Sequence, residues 1–175
     1  MEVARFIKIM SRGFVKEGDQ EEIPILTPRA YLPDGVTNYV TQVGMDELLD
    51  EKQMLMGEIE NLDMTNENEK RIASNHLNAK LKLLNERILT AEIIDLEKQS
   101  PDKVWFGATV TLKTDNETKL QKYQIVGVDE ADVSQGKISF ISPIAKILMG
   151  KEVGEKAILK LANGNRTYEI IEIVY

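Results

Sequence analysis

Residues 45–62 read MDELLDEKQMLMGEIENL, and residues 77–91 read LNAKLKLLNERILTA. In both stretches apolar side chains return at alternating intervals of three and four residues, which is the heptad spacing of helices that pack along a seam. The seam positions are Met45, Leu48, Lys52, Leu55, Ile59 and Leu62 in the first stretch, and Leu77, Leu81, Leu84, Ile88 and Ala91 in the second. Two such runs joined by the short polar link of residues 63–69 predict an antiparallel coiled-coil hairpin.

Cap-type residues mark the expected starts of the two helices. Thr41 precedes the first run, and Thr65 or Asn66 precedes the second. Side-chain oxygens at such positions accept hydrogen bonds from the first free backbone N–H groups of a helix. A first helix over residues 42–62 would extend about 30 Å.

The sequence on either side of the hairpin has a different character. Residues 1–36 contain three prolines and the turn signal Pro33-Asp34-Gly35, which predict an irregular extension. From residue 104 onward β-prone runs alternate with Gly, Asn and Asp, over residues 104–112, 120–126, 137–141, 157–161 and 167–174. We therefore expect an α+β protein with an extension (1–36), a hairpin (37–98) and a β-rich domain (99–175).

Two further features of the β-rich domain are readable. Residues 142–150, SPIAKILMG, predict one short helix, with Ser at the cap, Pro in the first turn and Gly at the end. Trp105 and Phe106 are expected to begin the first strand and to fill the domain core, because large aromatic side chains contribute much of a core's buried area.

Composition and charge exclude several classes of protein. The 175-residue chain has no cysteine, which excludes disulfides and thiolate metal sites, and its net charge of -7 argues against a simple nucleic-acid-binding surface. Residues 44–95 carry twelve acids and six bases, whereas residues 100–175 carry ten of each. Negative charge is therefore concentrated in the hairpin. Without a signal peptide or an apolar run of membrane-spanning length, we expect a cytoplasmic protein that does not bind membranes.

The C-terminal sequence resembles a known family through a series of short motifs in order. They are FGATV (106–110), YQIVG (123–127), DEAD (129–132), SPIA (142–145), LMGK (148–151), VG (153–154) and the closing run from residue 168 to residue 175. This series is similar to the C-terminal domain of the Gre (GreA/GreB) family of transcript-cleavage factors. The resemblance covers residues 91–175, extends to the hairpin by architecture only, and does not include residues 1–36.

The resemblance implies a fold and a mechanism. It implies an FKBP-like C-terminal domain that docks at the rim of the secondary channel of bacterial RNA polymerase, with Ser142, Pro143, Ile144 and Ala145 as contact residues. The hairpin then enters the channel and approaches nascent RNA or DNA. The factor is implied to be a monomer that is not itself an enzyme but stimulates the polymerase's own nuclease activity on backtracked RNA.

The resemblance assigns the chemistry to acidic residues at the hairpin tip. Asp63, Glu67 and Glu69 are the residues implied to assist the polymerase active site, with Asp63 and Glu67 helping to hold a Mg²⁺ ion shared with the polymerase. Carboxylates suit this role because Mg²⁺ prefers oxygen ligands, and a second metal ion stabilises the attacking and leaving oxygens of phosphoryl displacement. No cofactor bound stably to this chain is implied.

The tip departs from the family pattern, so other readings stay open. The pattern Gly-Asp-Leu-x-Glu-Asn-Ala-Glu-Tyr is replaced by LDMTNENEK over residues 62–70, with one extra residue and without the Gly and Tyr. The arms are also shorter, by about two helical turns each. One alternative is therefore a regulator that occupies the channel without stimulating cleavage. A prolyl isomerase is suggested by fold alone, and a plain structural hairpin leaves the C-terminal motifs unexplained.

Overall fold

The computed structural model describes residues 25–63, 65–115, 119–162 and 164–175. It has the predicted α+β architecture, with a helical hairpin followed by a β-rich domain. The helices are α1 (Gln42–Glu60), α2 (Glu67–Leu89) and α3 (Pro143–Leu148); the strands are β1 (Asn38–Val40), β2 (Ala91–Ile93), β3 (Thr109–Thr114), β4 (Gln121–Val126), β5 (Lys137–Ser139), β6 (Lys156–Leu161) and β7 (Gly164–Val174). Within the described ranges, no helix is both long enough and apolar enough to cross a membrane.

The two helices of the hairpin begin at side-chain caps, as predicted. The Oγ1 of Thr41 accepts a hydrogen bond from the backbone N–H of Gly44 (2.9 Å). Asn66, rather than Thr65, caps α2. The first helix ends at Glu60, two residues before the predicted end, where the backbone N–H of Asn61 still donates to the Gly57 carbonyl.

The predicted seam forms the core of the hairpin over most of its length. Leu48, Leu55 and Leu84 are buried together with Val40. Partly buried side chains pack against them: Met45, Leu77, Leu81, Ile88 and Ala91. Ala91 lies in β2 and not in the second helix, which ends at Leu89. Ile59 and Leu62 are half-buried towards the tip and lie outside this cluster.

A two-stranded parallel ladder closes the base of the hairpin. Strand β1 pairs with β2 in the register Asn38 to Ala91, Tyr39 to Glu92 and Val40 to Ile93. The buried Asn38 adds a side-chain hydrogen bond from Nδ2 to the Arg87 carbonyl (2.9 Å). These contacts hold the segment before α1 against the segment after α2, so the hairpin rises from a fixed base.

The C-terminal domain is a five-stranded sheet with one helix against it. The strand order is β5-β4-β3-β7-β6, in which only the β4–β5 pair is parallel. Its core contains Val104, Ala108, Val110, Leu112, Ile125, Ile138, Ala145, Leu148, Ala157, Tyr168 and Ile170. Ser142 caps α3, and Gly150 follows that helix with φ of 77°, a backbone conformation that Gly adopts without strain.

The expectation for the two adjacent aromatic residues is wrong in part. The first strand of this domain begins at Thr109, not at Trp105, and the Trp105 side chain is 36% exposed. Phe106 is buried, but it lies at the junction of the two halves, where its ring contacts those of Tyr39 (6.0 Å between centroids) and Phe140 (5.7 Å). Residues 104–108 form a turn region because Gly107 has φ of 89°.

The described part of the N-terminal extension lacks helices and strands. Residues 25–36 contain only a turn at Asp34 and Gly35, and residues 1–24 lie outside the described residues. The boundaries predicted after residues 36 and 98 stay predictions.

Candidate functional site

The hairpin tip is organised by the cap of α2. The Oδ1 atom of Asn66 accepts hydrogen bonds from the backbone N–H groups of Asn68 (3.0 Å) and Glu69 (3.4 Å). This cap starts the helix at Glu67 and places Glu67 and Glu69 in its first turn. Carboxylates are favoured there because the unpaired N–H groups give a helix N-terminus partial positive charge.

The three predicted tip acids are all exposed to solvent. Asp63 lies in the link before the cap, and Glu67 and Glu69 follow it. Within the described residues none of the three forms an ion pair; the one side-chain contact is from Asn66 Nδ2 to Glu69 Oε1 (3.3 Å). Residues 53–69 contain no Lys or Arg. Lys70 and Arg71 follow directly on α2, but the exposed carboxylates of the tip form no ion pair with them within the described residues.

The tip acids offer oxygen ligands but do not form a complete set of metal ligands within the described residues. Carboxylate oxygens are the ligands that Mg²⁺ prefers, and the ion normally completes six-fold coordination with waters and other groups. In the described part of the chain, however, no three Asp, Glu or His side chains come together in a way that would hold a metal ion.

The predicted docking residues lie at the start of α3, on the C-terminal domain. Ser142 accepts a hydrogen bond at Oγ from the backbone N–H of Ala145 (3.3 Å), and Pro143 follows it with an exposed ring. Ile144 is half-buried against the core. Ala145 has no exposed surface, so its side chain packs inside the domain and only the other three present atoms to a partner.

Sequence reasoning missed the polar junction between the hairpin and the C-terminal domain. The hydroxyl of Thr41, besides capping α1, donates to Oε2 of the buried Glu130 (2.6 Å). Lys137 on β5 lies 3.2 Å from Glu130 and 3.5 Å from Glu47. Burial opposes the charge on Lys137, but the hydrogen bond and charge of Glu130, with a smaller contribution from Glu47, raise its pKa. The run DEAD pointed to Glu130 as a motif residue, and no local signal linked it to Thr41, 89 residues earlier.

A second ionic group lies beside the first. Asp129 contacts two guanidinium groups, with Oδ1 3.0 Å from Arg29 Nε and Oδ2 2.9 Å from Arg87 Nε. Arg29 also donates two hydrogen bonds to Glu51 on α1, at 2.9 and 3.0 Å. Arg87 donates a further hydrogen bond to the Ala30 carbonyl. Together these contacts join the N-terminal segment, both helices and the C-terminal domain.

Comparison with known proteins agrees with the motif series. Residues 98–175 match the family model described as "Transcription elongation factor, GreA/GreB, C-term". Transcription elongation factor GreA from Hyphomonas neptunium is 49% identical over 92 residues, covering 53% of this chain and 59% of that protein. The protein of the same name from Sinorhizobium medicae is 44% identical over 101 residues, covering 58% and 64%. The chain thus spans about six-tenths of the length of these relatives.

Solved structures of similar proteins are more distant. The Gfh1 protein (GreA factor homolog 1) of Thermus thermophilus is 20% identical, with a TM-score of 0.36 over 80% of this chain and 100% of that chain. A GreA/GreB factor from Nitrosomonas europaea is 20% identical, with a TM-score of 0.40 over 78% and 98%.

Proposed function

We propose, from the match of residues 98–175 to the family model of GreA/GreB transcription elongation factors, that this protein binds bacterial RNA polymerase and stimulates cleavage of backtracked RNA. In this proposal the C-terminal domain docks at the rim of the secondary channel, and the hairpin enters the channel. The polymerase performs the cleavage, and the protein contributes groups to the polymerase active site without being an enzyme itself.

The observation that carries the proposal is the exposed acidic tip. Asp63, Glu67 and Glu69 lie at the end of a hairpin whose first arm, with 19 residues, is about 28 Å long. A projecting arm of this kind can carry carboxylates into a site that a compact domain cannot enter. Residues 53–69 contain no Lys or Arg, so several acids lie together towards the end of the arm, and such a group of negative charges attracts a cation.

In this proposal the tip acids orient water and add ligands to a metal ion, and they do not carry out the cleavage themselves. Asp63 and Glu67 supply carboxylate oxygens that orient water by accepting its hydrogen bonds. A Mg²⁺ ion shared with the polymerase would supply charge stabilisation at the phosphate oxygens. Asn66 contributes by fixing the start of α2, so the carboxylate of Glu67 leaves the helix in a defined direction.

Docking is assigned to the α3 surface for a separate reason. Pro143 is exposed at the first turn, and its ring is rigid, so its burial by a partner costs little conformational entropy. Ser142 and Ile144 flank it, while the buried Ala145 fixes the helix on the core. The surface is thus preorganised for binding, which lowers the entropic cost of association.

The test is RNA cleavage in a stalled, backtracked complex of the cognate polymerase. The double variant Asp63→Asn/Glu67→Gln should lose about ten- to a hundredfold in cleavage rate, the scale observed when groups supporting a metal site are removed. Its affinity for polymerase, measured separately, should change little, because docking lies on the C-terminal domain.

A matched control removes the same charge far from the tip. Asp46→Asn/Asp50→Asn neutralises two exposed acids near the base of α1. This variant should cleave at the unaltered rate. If the tip variant and the control cleave equally fast, the acids have no catalytic role and the proposal is wrong.

The altered tip favours a second candidate, a regulator that occupies the channel without stimulating cleavage. The described tip holds no group of three metal-binding side chains, and the family's Gly and Tyr are replaced. This candidate predicts that the intact protein binds polymerase, causes no cleavage, and displaces a cleavage-active factor from a stalled complex. Failure to displace such a factor at saturating concentration would exclude it.

A further inference from the structure

The segment of residues 25–33, here called the N-terminal strap, crosses the junction between the hairpin and the C-terminal domain. It lies outside the part of the chain that matches the family. Its most extensive attachment within the described residues is the side chain of Arg29, which binds Glu51 on α1 through two hydrogen bonds and Asp129 of the C-terminal domain through a third. A single guanidinium group therefore bridges the two halves of the molecule. The Ala30 carbonyl also accepts a hydrogen bond from Arg87 on α2.

Apolar packing of the strap is limited, because its apolar residues are half-buried at best within the described chain. Ile25 is 96% exposed and Tyr31 is 76% exposed. Between the strap and α2 lies an open groove of about 590 Å³, lined in part by Leu26, Leu32 and Leu83. A segment that packed for stability alone would fill such a groove with its large side chains, because burial of apolar surface is the main source of stability. The ionic contacts of Arg29 thus carry the attachment.

The charges at this crossing balance one another at positions that are partly buried, with Glu51 the most exposed at 40%. Two guanidinium groups, of Arg29 and Arg87, face the carboxylates of Asp129 and Glu51. The side chains of Arg87 and Asp129 are only 12% and 9% exposed. Burial opposes the charge on Arg29, but the contacts with Glu51 and Asp129 outweigh it and raise its pKa. A partly buried, bidentate pair of this kind has a fixed direction, unlike an exposed ion pair between flexible chains.

Glu51 lies far enough along α1 that its contact with Arg29 affects the position of the hairpin tip. The base of α1 is held at Thr41 by Glu130 and at Glu47 by Lys137, and the end of α2 is held at Arg87 by Asp129. All three contacts lie near the base of the hairpin, so together they make a pivot there. Glu51 lies nine residues after Gln42, or about 14 Å along the helix, and Glu60 lies nine residues beyond that. Among the described contacts with the strap or the C-terminal domain, it is the farthest along α1. Without this second anchor α1 could tilt about its base. Such a tilt would displace the tip about twice as far as it displaces Glu51, because the tip lies about twice as far along the helix axis.

We propose that the N-terminal strap sets the direction of the hairpin relative to the C-terminal domain, with Arg29 as its positioning residue. The consequence for cleavage rests on the proposed function, since a docked C-terminal domain aims the tip only if the angle between the two is fixed. The structural claim itself concerns the free protein. Arg29 acts through Glu51 and Asp129 and does not touch a substrate.

The absence of cysteine allows a direct measurement of this angle. Cysteines introduced at the exposed positions Lys70, near the tip, and Lys160, on β6, carry the only two spin labels in the chain. Pulsed electron resonance then gives the distribution of distances between them in the full-length free protein. The doubly labelled parent protein should show one narrow distribution of distances. The same protein with Arg29→Gln should show a broad distribution.

Two further variants separate positioning from folding. Glu51→Gln removes only the hairpin side of the bridge from a 40% exposed position, and should broaden the distribution as Arg29→Gln does. The double variant should broaden it no further, because the two groups act through one contact. Lys80→Gln, on the exposed face of α2, is the control that loses a positive charge and should keep the narrow distribution.

The outcomes distinguish this inference from the proposed function. If Arg29→Gln lowers the melting temperature but the folded protein keeps its narrow distribution, the strap only stabilises and the inference is overturned. If the distribution broadens, saturating Arg29→Gln should cleave more slowly while its affinity for polymerase stays unchanged. If Arg29→Gln broadens the distribution but even the intact protein causes no cleavage, the positioning role of the strap is supported and the proposed cleavage function is wrong.

Discussion

Gly44 permits a buried carboxylate to reach the start of α1. A Cβ atom on this residue would lie 2.6 Å from Oε2 of Glu130, closer than two such atoms can approach. Glu130 cannot withdraw freely, because it accepts the Thr41 hydroxyl at 2.6 Å and contacts Lys137 at 3.2 Å. The helix N-terminus further favours the negative charge. A missing side chain thus makes the contact between the two halves possible.

We predict that Gly44→Ala destabilises the protein, although Ala is the better helix former. Ala gains about 1 kcal/mol of helix propensity, but disturbing a hydrogen bond to a charged group costs about 1.5–3 kcal/mol. The free energy of unfolding in urea should therefore fall by about 1 kcal/mol. Gly57→Ala is the matched control on the same helix, where a Cβ meets nothing within 4 Å, and it should raise stability.

The sign of this effect should depend on Glu130. In a Glu130→Ala background the space beside Gly44 is empty, so Gly44→Ala should become stabilising. A Gly44→Ala effect that is equally unfavourable in both backgrounds would show that the carboxylate is not the cause.

Asp132 makes a pH-dependent contribution to stability. Its carboxylate accepts hydrogen bonds from the Ser134 hydroxyl (2.6 Å), the Ser134 N–H (2.9 Å) and Gln135 Nε2 (2.8 Å). These contacts, led by the Ser134 hydroxyl, lower its pKa. A lowered folded-state pKa gives stability that is complete above the ordinary Asp value of about 3.9 and is lost as the pH falls through the folded-state value.

We therefore expect Asp132→Asn to be less stable than the parent at pH 7 and to approach it as the pH falls below about 4. Melting temperatures measured from pH 7 to pH 3 check this convergence. Ser134→Ala should weaken the same pH dependence, whereas Asp102→Asn, at another exposed aspartate, should leave it unchanged. A parallel shift of the Asp132→Asn curve at every pH would contradict the assignment.

The hairpin depends on a small number of buried leucines. Leu84 has no exposed surface and packs with Leu48, Leu55 and Val40. Leu89, five residues later on the same helix, is 86% exposed. Leu84→Ala should lower the free energy of unfolding by about 2–5 kcal/mol through lost burial and a residual cavity. Leu89→Ala should change it by less than about 0.5 kcal/mol. Chemical denaturation compares the two, and similar losses would mean that α2 is packed on a different face.

Local signals allowed these elements to be predicted from sequence. The 3-4 spacing predicted the seam, and Thr41 and Ser142 predicted the starts of two helices. Both signals are local, because a cap or a heptad involves residues within one or two helical turns. The limits of the strands were less accurate. The turn at residues 104–108 reads as β-prone, yet its backbone is bent at Gly107 so that Phe106 reaches Tyr39.

Contacts between distant segments were beyond prediction. Strand β1 is only three residues long and pairs with residues 53 positions later, which no periodicity indicates. Arg29 and Asp129 are separated by 100 residues. Among the predicted site residues, the tip acids were chosen from charge and resemblance. The burial of Ala145, in contrast, depends on how α3 packs against the sheet. Burial depends on the tertiary neighbour, and a motif match does not contain it.

The described residues form two apolar cores, joined by ionic contacts and aromatic packing. Eleven buried hydrophobic residues form the core of the C-terminal domain, and four form that of the hairpin. Between them lie the ionic contacts of Glu130 and Asp129 and one cluster of three aromatic rings. Phe106 is buried in this ring cluster, so the junction orients the two halves through ionic contacts and aromatic packing. Because each half has its own apolar core, the halves should open separately.

Hydrogen exchange followed by mass spectrometry tests this separation. Backbone N–H groups of β3, β4 and β7, at the centre of the sheet, should exchange slowest, and those near the tip of α1 and α2 fastest, because few buried contacts hold the tip. Leu84→Ala should accelerate exchange throughout α1 and α2 and leave β3 and β4 unaffected. Ile125→Ala, in the core of the sheet, is the reciprocal variant and should accelerate the C-terminal domain. Equal acceleration of both halves by Leu84→Ala would mean that the junction couples them into one cooperative unit, and the prediction of separate opening would be wrong.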